Sequence, residues 1–136
     1  MELRVRHLHG VKFEAEARGH RIICDQPPSN QGEDAGMTPP ELLLASLATC
    51  AGFYAAQYLK NHKLSQDGLE VVVHAEKAAA PARLGSFRIE VTVPGLPADD
   101  EAGLLRSVNA CLIKNTLAMP PAIETVLRTA SVAAAV

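Results

Sequence analysis

Leu42–Leu59 reads LLLASLATCAGFYAAQYL, eighteen residues without a charge. The residues before it mark a helix start: Thr38 suits the N-cap, Pro39 the first helical position, and Glu41 stands three after Thr38 as in a capping box. Lys60, His62 and Lys63 follow it, cations suited to a helix C-terminus. The pattern predicts a central helix over 39–63. A run of this length must be weighed as a membrane span. Ser46, Thr49, Gly52 and Gln57 interrupt it, five of its eighteen residues are alanine, and no aromatic belt or loop-charge asymmetry flanks it. The expectation is therefore no membrane, but a helix apolar all round and buried on every side.

Upstream, residues 1–25 alternate, with Leu3, Val5, Phe13 and Ala15 set against Arg4, Arg6, Glu14 and Glu16. Period-two alternation predicts half-exposed strands. Turns at His9-Gly10 and Gly19-His20 would join three of them into a meander ending in Arg21–Asp25. PPSNQGEDAGMTPP then reads as a surface loop, long for a plain connection. Downstream, Leu69–Lys77 and Ser86–Pro94 are β-branched and alternating, predicting a hairpin over 69–94 linked by AAAPARLG. Residues 98–118 read as a second helix with Asp99, Asp100 and Glu101 in its first turn, stopped by Pro120-Pro121. A last strand is expected over 122–132. The chain reads as one α+β domain, 1–136.

Composition narrows the function. Thirteen Lys+Arg against fifteen Asp+Glu give a net charge of −2, so a phosphate-binding footprint is absent. Five aromatics and no Trp leave little to stack on bases. No nucleic-acid partner is expected. Alanine supplies 22 of 136 residues, and a core of small side chains buries little area in so short a chain. A helix that needs cover on all sides then calls for a second copy.

The three cysteines, Cys24, Cys50 and Cys111, are too few and odd in number for a disulfide scaffold. The N-terminus shows no apolar signal segment, so a cytoplasmic location with reduced thiols is expected. Cys50 and Cys111 each read as a small core hydrophobe. Lying on two helices that must pack together, they also make attacking and resolving thiols if they face each other, which spacing alone leaves open. The five histidines, His7, His9, His20, His62 and His74, form no metal-ligand spacing beyond a weak His7-x-His9. No metal or cofactor is expected. No nucleophile elbow, phosphate loop or dinucleotide fingerprint occurs.

The run Gly36-Met37-Thr38-Pro39-Pro40-Glu41-Leu42-Leu43-Leu44-Ala45-Ser46-Leu47-Ala48-Thr49-Cys50 resembles the first cysteine motif of the OsmC/Ohr family (osmotically inducible protein C and organic hydroperoxide resistance protein). Cys111-Leu112-Ile113-Lys114-Asn115-Thr116-Leu117 is similar to its second. The order of elements matches over nearly the whole chain. The resemblance implies an OsmC-like fold, antiparallel sheets around two central helices in an intertwined homodimer. It also implies reduction of small organic hydroperoxides, Cys50 attacking and Cys111 resolving, with an external dithiol as reductant.

The departures from the motif are specific. The family's hydroperoxide reductases carry, ten positions before the first cysteine, a Glu that clamps an activating Arg; here that position is Pro40. Glu41, nine before Cys50, is half a turn out of phase and fits a cap on Thr38. For the Arg, the meander offers Arg18, with Arg21 as rival. Burial in apolar surroundings raises a thiol pKa, and a helix dipole fades within about one turn. A cation beside Cys50 is therefore expected if it is to attack. The alternative is a non-peroxidatic dimer of the same fold, binding a small apolar or thiol-reactive ligand in its interface cleft.

Overall fold

The computed structural model describes residues 1–130. Three strands open the chain, β1 (Arg4–His9), β2 (Lys12–Ala17) and β3 (His20–Cys24), in an antiparallel meander of order β1-β2-β3. At the β2–β3 turn Arg18 (φ 53°) and Gly19 (φ 84°) both take left-handed backbone, the two-residue geometry whose twist suits a hairpin. The register puts Val5 opposite Ala15 and Ala15 opposite Ile22, one apolar row across one face. Arg4, Glu16 and Arg21 form a row on the other face, where Glu16 pairs with Arg21 at 3.1 Å and Arg6 at 3.5 Å.

The loop after β3 is organised by one carboxylate. Asp25 is buried and accepts backbone N–H groups from Gln26 (2.8 Å), Glu33 (3.1 Å) and Ala35 (3.1 Å). Burial raises its pKa, and these three bonds outweigh it and hold the carboxyl below its ordinary value. The loop thereby folds back so that Met37 bridges Cys24. Helix α1 (Pro39–Asn61) starts there. Glu41 Oε2 accepts from the backbone N–H of Thr38 at 2.7 Å and from its hydroxyl at 3.0 Å, so Glu41 is used at the helix start.

A hairpin follows, β4 (Glu70–Ala78) and β5 (Arg83–Thr92), with Val71 opposite Val91 and Val73 opposite Ile89. The strands run into the segment expected as a loop, leaving only residues 79–82 as the turn. Helix α2 (Ala98–Asn109) and short helix α3 (Leu112–Ala118) end the regular structure. The core lies between α1, α2 and the hairpin. Ala51, Ala55 and Leu59 recur every four residues along one stripe of α1 and meet Leu104 and Val108 of α2, with Val71, Ile89 and Val91 packed over them. Spacing by four is how a helix presents one face.

Three expectations are corrected. First, α1 is not buried on every side within one chain: Leu47, Ala51, Ala55 and Leu59 are buried, while Thr49, Phe53 and Gln57 are exposed, Phe53 by 59%. One hairpin and one helix cover one side only. Second, the helix expected over 98–118 is two helices. The Cys111 N–H bonds Val108 O at 3.1 Å, a tightened last turn; Cys111 then leaves helical backbone (φ −53°, ψ 125°) and becomes the N-cap of α3. Third, the strand expected over 122–132 is absent in the described part, 122–130; residues 131 and 132 lie outside the described residues. A strand needs an edge to pair with, and neither sheet lends it one. Ile123 and Leu127 are each 87% exposed.

Candidate active site

Two polar clasps fix α2 against α1, and the sulfurs fall at the end of the series. The Tyr58 hydroxyl donates to Asp100 Oδ1 at 2.9 Å, and the Ser107 hydroxyl to the Tyr54 carbonyl at 3.1 Å. Position 58 thus meets 100 and 54 meets 107, so the helices run antiparallel. One further step down α1 is Cys50, and one further step along α2 is Cys111. The two thiols meet there, each close enough to shift the other's pKa. The break between α2 and α3 is part of this meeting, because it turns Cys111 inward as a cap instead of leaving it on a continuing helix.

The two seats differ. Cys50 is half-buried and Cys111 fully buried. At Cys50 burial pushes the thiol up, but hydrogen bonds from Cys111 and from the backbone amides of Ile113 and Leu112 outweigh it, and the thiol ends below its ordinary value. At Cys111 burial and the neighbouring Cys50 push the thiol up; the amides of Lys114 and Ile113 only partly offset this, and it ends above. The Lys114 N–H lies 3.5 Å from Cys111 Sγ. Donors that favour the charged form lower an acid's pKa, as a cation would. Of two adjacent thiols, Cys50 is therefore the one that ionises first.

The expected cation is not among the groups that shift Cys50. Arg18 sits at the β2–β3 turn beside Glu2, Arg4, Arg6 and Glu16. Arg21 is held by Glu16 at 3.1 Å and Glu14 at 4.0 Å. Neither is brought to the sulfur pair, and the N-terminal turn of α3 supplies donors instead. Those amides were out of reach of a side-chain reading. The nearest signal is Asn109, a poor helix former just before the break. Cys24 lies on β3, opposite Phe13 and apart from the pair. Phe53 and Tyr54 pack edge to face, centroids 5.3 Å apart.

A groove of about 730 Å³ opens beside this region, lined by Leu43 and Leu47 of α1, Leu84, Phe87 and Ile89 of β5, and Leu117 of α3, with Arg83 and Lys114 among its walls. Leu47 is one turn before Cys50. Among the described residues no group of three His, Cys, Asp or Glu is placed to hold a metal ion.

The family model for OsmC-like proteins matches residues 32–126, which covers the end of the loop before α1, Cys50 and Cys111, and both clasps. This chain belongs to the OsmC-like family. It is similar in fold to a protein from Psychrobacter arcticus 273-4 named for an osmotic stress induced and detoxification response, at TM-score 0.77 and 22% identity, covering 84% of this chain and 85% of that one. It is also similar to an OsmC-like protein from Mycoplasma pneumoniae, at TM-score 0.68 and 18% identity over 86% of each chain. An organic hydroperoxide resistance protein from Legionella pneumophila matches at TM-score 0.59 and 17% identity, over 85% of this chain and 87% of that one. No curated protein matches the chain.

Proposed function

We propose that this chain is a thiol-dependent peroxidase that reduces organic hydroperoxides, Cys50 attacking and Cys111 resolving. The observation that carries the reading is the placing of two unequal cysteines at one end of the clasped α1–α2 pair: Cys50 is half-buried and Cys111 fully buried, and their surroundings push the first thiol below its ordinary value and the second above. The thiolate is the nucleophile. Cys50 attacks the terminal oxygen of the hydroperoxide; an S–O bond forms, the O–O bond breaks, and the alkoxide leaves as the alcohol after taking a proton. Cys50 is now a sulfenic acid. Cys111 attacks its sulfur, an S–S bond forms and water leaves. An external dithiol returns both thiols. The amides of Leu112 and Ile113 do for Cys50 what a guanidinium would otherwise do.

The working unit in this reading is a homodimer in the cytoplasm. One face of the meander carries the row Val5, Ala15, Ile22, with Val5 52% and Ile22 48% exposed, and the Phe53 side of α1 is open as well. Uncovered apolar rows of this kind mark association surfaces.

The test is consumption of cumene hydroperoxide with dithiothreitol. Cys50→Ser is expected to drop to the uncatalysed rate. The wild-type rate is expected to rise with pH as the thiolate forms, with a midpoint below that of an ordinary cysteine. Equal rates for wild type and Cys50→Ser sink the reading. They leave the other one that the groove beside Leu43 and Leu47 favours, a non-peroxidatic dimer holding a small apolar or thiol-reactive ligand.

A further inference from the structure

The Cys50–Cys111 disulfide of the proposed cycle offers an incoming thiolate two sulfurs, and in this chain two physical effects disagree about which is struck. Exchange is faster when the departing sulfur is the more acidic thiol. Cys50 is the more acidic of the pair, so leaving-group strength alone would send the reductant to Cys111 and expel Cys50. Access points the other way. Cys111 has no accessible surface, seated between α1 and the turn that opens α3, whereas Cys50 is only partly buried. A displacement at sulfur needs the nucleophile on the side opposite the departing sulfur, and a sulfur with no exposed surface offers no such approach without opening the core.

We propose that the reductant strikes Cys50 and expels Cys111, access overriding leaving-group strength. This rests on the peroxidase reading. The first thiolate of the dithiol forms a bond to Cys50 Sγ with its own electron pair; the Cys50–Cys111 bond breaks and its pair goes to Cys111. The Lys114 N–H, 3.5 Å from Cys111 Sγ, is already in place to meet that departing thiolate, which then takes a proton. The second sulfur of the dithiol, as thiolate, attacks the first. A cyclic disulfide forms, and Cys50 leaves as the thiolate among the Leu112 and Ile113 amides. The dithiol has lost two electrons, and the two protein sulfurs have gained them. Cys50 thus both opens and closes the cycle, and Cys111 never meets a molecule from outside.

The experiment uses the full-length Cys24→Ser variant, so that two thiols remain. One sample is oxidised with one equivalent of cumene hydroperoxide and another with diamide. Each then receives one equivalent of glutathione, a monothiol whose single attack leaves a mixed disulfide. It is quenched with acid after a short delay, its freed thiol is tagged with N-ethylmaleimide, and peptide mass spectrometry locates adduct and tag. Glutathione is expected on Cys50 and the tag on Cys111, by more than about tenfold over the reverse. Adduct on Cys111, adduct shared evenly, or none on Cys50 overturns the proposal. If diamide but not hydroperoxide forms the disulfide, the peroxidase reading fails while the diamide sample still decides which sulfur is struck. If neither forms it, both fall.

Discussion

The β4–β5 hairpin and the β1–β3 meander both alternate apolar and polar residues, yet only the hairpin has a helix to lie on. Val71, Ile89 and Val91 close over Ala51, Ala55 and Leu59. Beyond its own strands the meander makes at most marginal contact with any other helix or strand. Val5 and Ile22 of its apolar row remain open on either side of buried Ala15, and its order comes from ladder bonds, the Arg–Glu row and the Asp25 clasp. The difference teaches where one chain's apolar material runs out. A single stripe of α1 is covered by its own hairpin and α2. The opposite side of α1 and the exposed residues of the meander's apolar row are left uncovered within one chain, and it is these surfaces that the proposed homodimer would cover.

The largest effect separating the two regions is expected from Leu59→Ala. Leu59 is fully buried, and truncation of such a side chain costs about 2–5 kcal/mol, read as a lower urea midpoint with unchanged slope. The next is association. Wild type at micromolar concentration is expected to scatter light as twice its 14.4 kDa. Ile22→Asp, which puts a charge on the meander's row, is expected to shift that mass toward one chain while the circular dichroism of the helices persists. A well-folded wild-type monomer would break the comparison. The smallest is a pH effect confined to the meander and the loop that follows it. The carboxyl of Asp25 is held below its ordinary value in the fold, so its contribution is complete above the unfolded pKa. It is lost as pH falls through the lower, folded one. Asp25→Asn is expected to remove that part of the acid sensitivity, and identical acid-unfolding curves for the two proteins would rule it out.

Much of this was legible in the residues. The charge-free run with Thr38 and Glu41 ahead of it locates α1 to within two residues, because capping and propensity are local. The hairpin is legible for the same reason, its β-branched alternation needing only itself to pair. The break before Leu112 was not. Every residue from Ala98 to Ala118 tolerates a helix, and what ends α2 is a tightened turn at Cys111 together with the cap that Cys111 gives α3. The apolar pattern after Pro121 reads as a strand, but pairing is a property of an edge elsewhere, and pattern alone does not supply one. The two candidate arginines are singled out by their place in the chain alone. In the fold Arg18 is spent on a turn and Arg21 on an ion-pair row. The donors that face Cys50 are main-chain groups, to which side-chain identity is nearly silent.

Gly103 lies beneath the Tyr58 ring, and a Cβ placed there would collide with the Tyr58 hydroxyl. The clasp it underlies is eight residues up α1 from Cys50, roughly 12 Å at the helix rise per residue. The gearing between the two helices is thus set far from the sulfurs. A side chain at 103 meets the far end of the Tyr58 ring, which must swing aside and give up its bond to Asp100. The absence of a side chain at 103 is thus what lets the Tyr58 hydroxyl reach Asp100 at 2.9 Å, and the sulfurs depend on a contact that contains neither of them.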